Sequence, residues 1–412
     1  MRPAPGGIAL PLALTLAVQT LVALAVYSAP VMAPVAGPAL GVSPSAVGYY
    51  IAATYLGSMI GSAAAGGWVA RFGPIRVSQA GLALCLAGLA LAASAVAPLV
   101  MLGGFVVGLG YGPTTPASSV ILVRAAPPRL FSLIFSVKQT GVPAGGVLAG
   151  ALIPAAVLAL GWQWSALAVG LACLAAAALI APARAAYDRG LDARAPVSLG
   201  SALAPVGLVL REPRLRQMAV TSFVYGGVQI TLVTYLVTFL TESFGLALVL
   251  AGFVMAVSQV ASVLGRVLWG ALADRVFSRR AMLGLLGLGM GASALAALAA
   301  GPDWPRWALF AYAAAFGATA VGWNGVFLAE VARIAPAGET SAATGGCLFF
   351  TFLGVVITPP TFNGVLALSG GYPAAYAVFA APALAAGAWL LATMPRRQTT
   401  SRRDRRGEKN GV

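Results

Sequence analysis

The stretch Leu264–Arg280, LGRVLWGALADRVFSRR, decides how this chain is read. It begins as an apolar helical run, ends in a Gly-Ala-Leu-Ala-Asp-Arg turn followed by arginines, and carries one further arginine, Arg266, inside its apolar part. Spacings of four and eight place Arg266, Gly270 and Asp274 on roughly one helical face, with Arg266 about 12 Å inward of Asp274. A charge at that depth in a bilayer costs about 2.5–3.5 kcal/mol on insertion scales, so the default reading of Arg266 is functional.

The rest of the chain establishes the bilayer. Of 412 residues, 60% are hydrophobic and only 8% charged, which lies outside the composition of soluble domains. Asp, Glu, Lys and Arg are missing from residues 3–70, 77–123, 139–183, 217–241, 243–265, 281–302, 307–329 and 340–395. A spanning helix takes about 20 residues, so the four long intervals hold two helices each and the four short ones hold one. The expectation is an all-α membrane protein with twelve transmembrane helices. They divide as a six-helix bundle over 1–181, a loop over 182–216, a second six-helix bundle over 217–395 and a basic tail over 396–412. Helix 1 is expected to end near Pro30. On helix 4, the run GLGYGPTTPASS (Gly108–Ser119) predicts a bend or local unwinding, tolerable where freed backbone groups face protein or a wet cavity.

The net charge of +15 would suit nucleic acid, but its placement argues against that partner. With twelve alternating spans and both termini in the cytosol, Arg2, Arg71, Arg76, Arg124, Arg129, the loop arginines, Arg275, Arg279, Arg280, Arg333 and the tail all fall on one side. This asymmetry is the positive-inside rule. The tail reads as a topology anchor in reach of anionic lipid. Three cysteines in separate apolar runs give no disulfide framework, and the lack of histidine removes the usual proton switch and most zinc or copper sites. No metal or other cofactor is expected, and no nucleophile–base constellation of an enzyme stands out.

The two halves repeat. GGWVARFGPIR (Gly66–Arg76) aligns with GALADRVFSRR (Gly270–Arg280), matching Gly66 to Gly270, Arg71 to Arg275 and Arg76 to Arg280. VRAAPP (Val123–Pro128) aligns with ARIAPA (Ala332–Ala337) at the corresponding later position. A duplicated six-helix unit is the pattern of transporters built from two rocking halves.

Six plus six helices with a G-x-x-x-D-R-x-x-x-R-R turn between the second and third helices of a half resemble the major facilitator superfamily over essentially the whole chain. The resemblance implies that Gly270, Asp274, Arg275 and Arg280 form a conformational latch, with Gly66, Arg71 and Arg76 as its N-terminal copy. That copy departs from the pattern, because Ala70 stands where the family has Asp. Independently of the family, a carboxylate at Asp274 can accept from N–H groups at the start of a neighbouring helix, here near Ser341.

Arg266 resembles the helix 8 arginine of carboxylate and oxalate transporters of that superfamily, four residues before the motif glycine, which implies binding of a substrate carboxylate. Hydrogen bonding to helix carbonyls or pairing with Glu330 are the structural alternatives. Lys138 on helix 5 is a second intramembrane cation, which either snorkels or faces the same path. Gln139, Tyr27, Tyr111, Tyr225, Gln229, Trp323 and Asn324 are further cavity candidates on helices 1, 4, 5, 7 and 10, each equally readable as interhelical packing.

Gly141–Gly146, GVPAGG, resembles the helix 5 motif of drug antiporters with the proline displaced by one residue. Gly141, Pro143, Gly145 and Gly146 mark either that function or a kink with close helix packing. Glu330 is the acidic candidate for ion coupling, with Arg333 one turn away as a structural partner. The expectation is alternating-access transport of a small organic anion such as a carboxylate. A proton-coupled drug or metabolite antiporter and a non-transporting membrane sensor are the alternatives. Its partners are the bilayer, one small-molecule substrate and an open choice of coupling proton. The chain is expected as a monomer in a bacterial inner membrane.

Overall fold

The computed structural model describes residues 7–125, 131–195, 204–301, 303–337 and 339–393. They form helices and turns, with no strand among them. The spans are α1 (Ala9–Ala39), α2 (Val47–Phe72), α3 (Pro74–Ala93), α4 (Ala97–Tyr111 and Thr114–Ala125), α5 (Phe131–Gln139 and Gly141–Leu160) and α6 (Trp162–Leu179). After the connecting segment come α7 (Pro213–Phe244), α8 (Leu248–Arg275), α9 (Arg279–Ala296), α10 (Arg306–Ala320 and Asn324–Ile334), α11 (Thr340–Ser369) and α12 (Tyr372–Ala392). By length and apolarity, 10 described stretches suffice to cross a bilayer. The others are α2, whose 26 residues are long enough but rich in Gly, Ser and Tyr, and the interrupted α10. The tail over 396–412 lies outside the described residues.

α1 runs past its expected end at Pro30, through Pro34 and Pro38 as well. In a bilayer such prolines are tolerated where neighbouring helices and local adjustments satisfy the freed carbonyls. Here the last turn closes on itself, with the Leu40 and Val42 amides donating to Ala36 and Gly37. A Cβ on Gly37 would lie 2.8 Å from Pro44 Cα, so the following turn folds back against the helix at that point.

Within each half the helices interlock closely. In the N-terminal half α2 and α3 pack on α4, α1 on α5 and α3 on α6; in the C-terminal half α9 packs on α12, α7 on α11 and α8 on α10. Without a hydrophobic drive between helices in lipid, such contacts rest on van der Waals fit, and small residues supply it. The two halves touch through α5 with α8, α2 with α11 and α1 with α7.

These contacts extend from mid-depth toward the end away from Arg71, Arg124 and Arg275, hereafter the far end as against the basic end. Tyr55 of α2 meets Phe352 of α11 at 6.5 Å between ring centroids. Nearer the far end, a Cβ on Gly48 would collide with Tyr235 of α7, and the α5 and α8 backbones meet at Gly150 and Gly252.

The connecting segment is fastened to both halves. The Asp188 carboxylate accepts from the amides of Ile75 (2.8 Å) and Arg76 (3.2 Å), which are orphan donors at the start of α3. The Asp192 amide donates to Ala70, and Arg124 donates to the carbonyls of Tyr187 and Arg189. Further on, the short helix Ala204–Arg211 lies on α11, with Pro205 and Val209 against Gly346.

Candidate functional site

Two polar clusters meet where the halves face each other at mid-depth. The first belongs to the N-terminal half and is centred on Lys138, whose side chain is 1% exposed. Its Nζ donates to Gln19 Oε1 (2.9 Å), Gln139 Oε1 (3.1 Å) and Thr115 Oγ1 (3.2 Å). Thr115 in turn donates to Gln19 at 3.0 Å. Three donors meet three neutral oxygens, and no carboxylate pairs with Lys138 among the described residues. The side chain does not snorkel, since it is drawn inward to α1 and α4.

Arg266 crosses from the other half to the same place. Its Nη1 donates to the Gln139 carbonyl on α5 and its Nε to the Val321 carbonyl on α10, both at 3.3 Å. The second bond depends on the break in α10, because residues 321–323 leave the helical path and Val321 turns its carbonyl to an outside donor. Tyr27 and Tyr111 lie within electrostatic reach of the guanidinium. The structure therefore brings together Arg266, Lys138, Gln139, Tyr27 and Tyr111. Glu330 is not Arg266's partner: it is buried and held by Arg333 through two bonds of 2.8 and 2.6 Å.

The second cluster lies on the C-terminal half. Gln229 Oε1 accepts from Trp323 Nε1 (3.0 Å) and Asn324 Nδ2 (3.1 Å), just after the α10 break. Tyr225 belongs to the core instead, with its hydroxyl donating to the Leu283 carbonyl at 2.8 Å. The α4 break falls at Gly112–Pro113, inside the stretch predicted to bend, and it presents Thr115 to the Lys138 cluster.

Sequence reasoning misses Gln19 and Thr115. A glutamine in an apolar run at the depth of two unpaired cations is the available signal.

The helix 5 glycines sit at close contacts. A Cβ on Gly141 would lie 2.9 Å from Gln19 Cβ, one on Gly145 would lie 2.6 Å from Ala23 Cβ, and one on Gly146 would lie 2.8 Å from Gln259 Cγ. Pro143 is buried beside them. Of the residues expected to form a latch, Asp274 is exposed and pairs with Arg279 at 3.2 Å, while Arg280 binds Gln217, Thr393 Oγ1 and the Leu390 carbonyl inside its own half. The Ser341 side chain, expected near Asp274, lies outside the described residues. Arg71 stacks over Phe72 at 5.5 Å, and the Arg76 amide is held by Asp188.

No three His, Cys, Asp or Glu side chains gather to hold a metal among the described residues. A separate apolar cavity of about 260 Å³ lies toward the far end of the N-terminal half, between Met32, Tyr50, Leu89, Met101 and Trp162, away from the two cations.

Two six-helix halves, joined face to face over the buried Lys138, the half-buried Arg266 and their polar neighbours at mid-depth, define a membrane transporter. The chain belongs to the Major Facilitator Superfamily, whose family model matches residues 15–359. No curated protein sequence matches it. Among solved structures, it is similar to the nucleoside transporter NupG, crystallised as a point mutant, with TM-score 0.76, 14% identity, and 93% of this chain and 100% of that one covered. A D-xylose–proton symporter matches with TM-score 0.71, 17% identity and coverage of 94% and 97%. A peptide transporter in complex with sulfate matches with TM-score 0.73, 17% identity and coverage of 93% and 94%. At these identities the likeness is one of fold.

Proposed function

We propose that the chain carries a small organic anion, such as a carboxylate, by alternating access, with Arg266 and Lys138 supplying the charge that selects it. The observation carrying this reading is that both cations converge on Gln139, one on its side chain and one on its carbonyl, and neither has a carboxylate partner among the described residues. Lys138, which is buried, and Arg266, which is half-buried, are held by neutral oxygens alone among the described residues, so their charges are incompletely compensated and a mobile anion completes them. Arg266 offers the planar fork that fits a carboxylate in two bonds, whereas Lys138 acts as a point charge. Gln139, Tyr27 and Tyr111 would line the same site, and Gln229 and Asn324 would meet the far part of the substrate.

The same charges oppose a cationic drug, and the close contacts of Gly141, Gly145 and Gly146 account for the helix 5 motif through packing alone. Both carboxylate oxygens of Glu330 are engaged by Arg333, which suits it to a structural pair better than to a proton carrier. By the positive-inside rule the basic end faces the cytosol of a bacterial inner membrane, so the conformation described is the inward-facing one.

The test is counterflow of labelled small carboxylates into liposomes holding the purified chain. Uptake of at least one carboxylate is expected, lowered roughly ten- to hundredfold in Arg266→Ala, since a charge-assisted pair at a half-buried site contributes about 1.5–3 kcal/mol. Lys138→Ala should weaken it about tenfold or more. Carboxylate uptake equal to the parent's in both variants, or uptake confined to cationic or uncharged compounds, would overturn the proposal.

A further inference from the structure

α5 and α8 cross antiparallel in a fixed register. Arg266 meets Gln139, and seven residues further along each helix Gln259 faces Gly146. A Cβ on Gly146 would lie 2.8 Å from Gln259 Cγ and 2.9 Å from its Cδ. Next come Gly150 and Gly252, where the two backbones touch. Seven residues make about two turns, so Gln259 sits on the same stripe of α8 as Arg266, about 10.5 Å nearer the far end.

Gln259 is 1% exposed, and neither its Oε1 nor its Nε2 has a hydrogen-bond partner among the described residues. Other buried polar groups left unmatched are single atoms: one nitrogen of Gln19 and the hydroxyls of Tyr50, Thr221, Thr234 and Tyr312. Gln259 alone among the described residues loses both ends of an amide. A protein-buried amide with neither end matched is a standing cost, and a leucine of similar volume would carry none of it. The cost exists only while α5 and α8 are pressed together. When the halves part at the far end, the seam that Gln259 occupies opens and the amide meets water.

We propose that Gln259 is a gate residue that weakens the α5–α8 seam at the far end, keeping the closed form there from becoming a trap and so setting the balance between the two states of the cycle. Gly146 supplies the seat into which the amide folds when the seam closes. Nothing in this requires a particular substrate, so it stands apart from the choice of anion.

The experiment places spin labels at Val42→Cys and Ser243→Cys, exposed positions at the far end of either half, in the full chain in lipid nanodiscs. The native cysteines Cys85, Cys173 and Cys347 are buried. Pulsed electron–electron distances are compared for Gln259, Gln259→Leu and Gln259→Ala. Each is measured alone and with Gly252→Val, which props the seam apart and populates the long distance. Both substitutions should raise the ratio of short to long distance about tenfold, the scale set by one unmatched amide. Gln259→Ala decides the matter should the leucine variant fail to assemble. A ratio unchanged or lowered by the alanine variant in the Gly252→Val background would overturn the proposal.

Discussion

At the scale of single residues, cost is the most readable signal. Arg266 and Lys138 stand out in the sequence because charge in a bilayer is expensive. Gln19, Thr115 and Gln259 do not, because a neutral polar side chain in an apolar run reads equally well as packing. The pairing of Gln19 and Thr115 with Lys138 depends on α1, α4 and α5 converging, and Gln19 and Lys138 lie 119 positions apart in the chain. Asp188 is equally hidden. The N-terminal motif copy lacks its aspartate, and the carboxylate at that turn arrives instead from the connecting segment, capping Ile75 and Arg76. A side-chain cap on exposed helix amides contributes about 1 kcal/mol. Asp188→Ala should therefore speed hydrogen exchange at the Ile75 and Arg76 amides roughly fivefold, with Asp188→Asn retaining most of the protection. Equal exchange in all three proteins would mean that another group holds the α3 start.

At the scale of elements, the number of spans and the α4 break are legible from charge-free intervals and from the Gly-Pro run, both local in sequence. The extension of α1 through three prolines is not, since a proline marks a helix end in water but only a weak point in lipid. Nor is the α10 break at 321–323, which needs Trp269 and Ala318 around Gly322 to make sense of it. The close helix contacts divide into two kinds that sequence cannot separate. Gly108 faces the Thr54 carbonyl inside the N-terminal half, whereas Gly252 faces Gly150 across the seam between halves. A side chain at Gly108 has no state of the cycle in which to fit. Gly108→Val should cost several kcal/mol and lower the melting temperature or the yield of folded protein, in the range of overpacked core sites. Gly252→Val should leave the melting temperature nearly unchanged and lengthen the Val42–Ser243 label distance. Equal destabilisation by both would show that the α5–α8 seam does not part.

At the scale of the whole molecule, the duplicated motif poses the remaining question, because its glycines have no evident task in this conformation. Among the described residues, a Cβ on Gly66 or Gly270 would meet nothing within 4 Å, and Asp274 is exposed beside Arg279. Both glycines lie inside helices, α2 and α8, where glycine is about 0.8–1 kcal/mol worse than alanine. On the alternating-access reading proposed above, this penalty at both copies is offset in a second conformation, in which the basic ends of the halves close over Gly66 and Gly270. The sign of the effect follows. Gly270→Ala should stabilise the conformation described by up to about 1 kcal/mol and disfavour the closed basic end, where the added methyl meets a neighbour. Labels at Phe72→Cys and Val276→Cys, exposed at the basic ends of α2 and α8, should then report a larger share of the long distance. Turnover should fall while the melting temperature rises slightly. A rise in melting temperature with turnover and distances unchanged would mean that no conformation of the cycle brings a helix against Gly270, and the latch would be reduced to a charged turn.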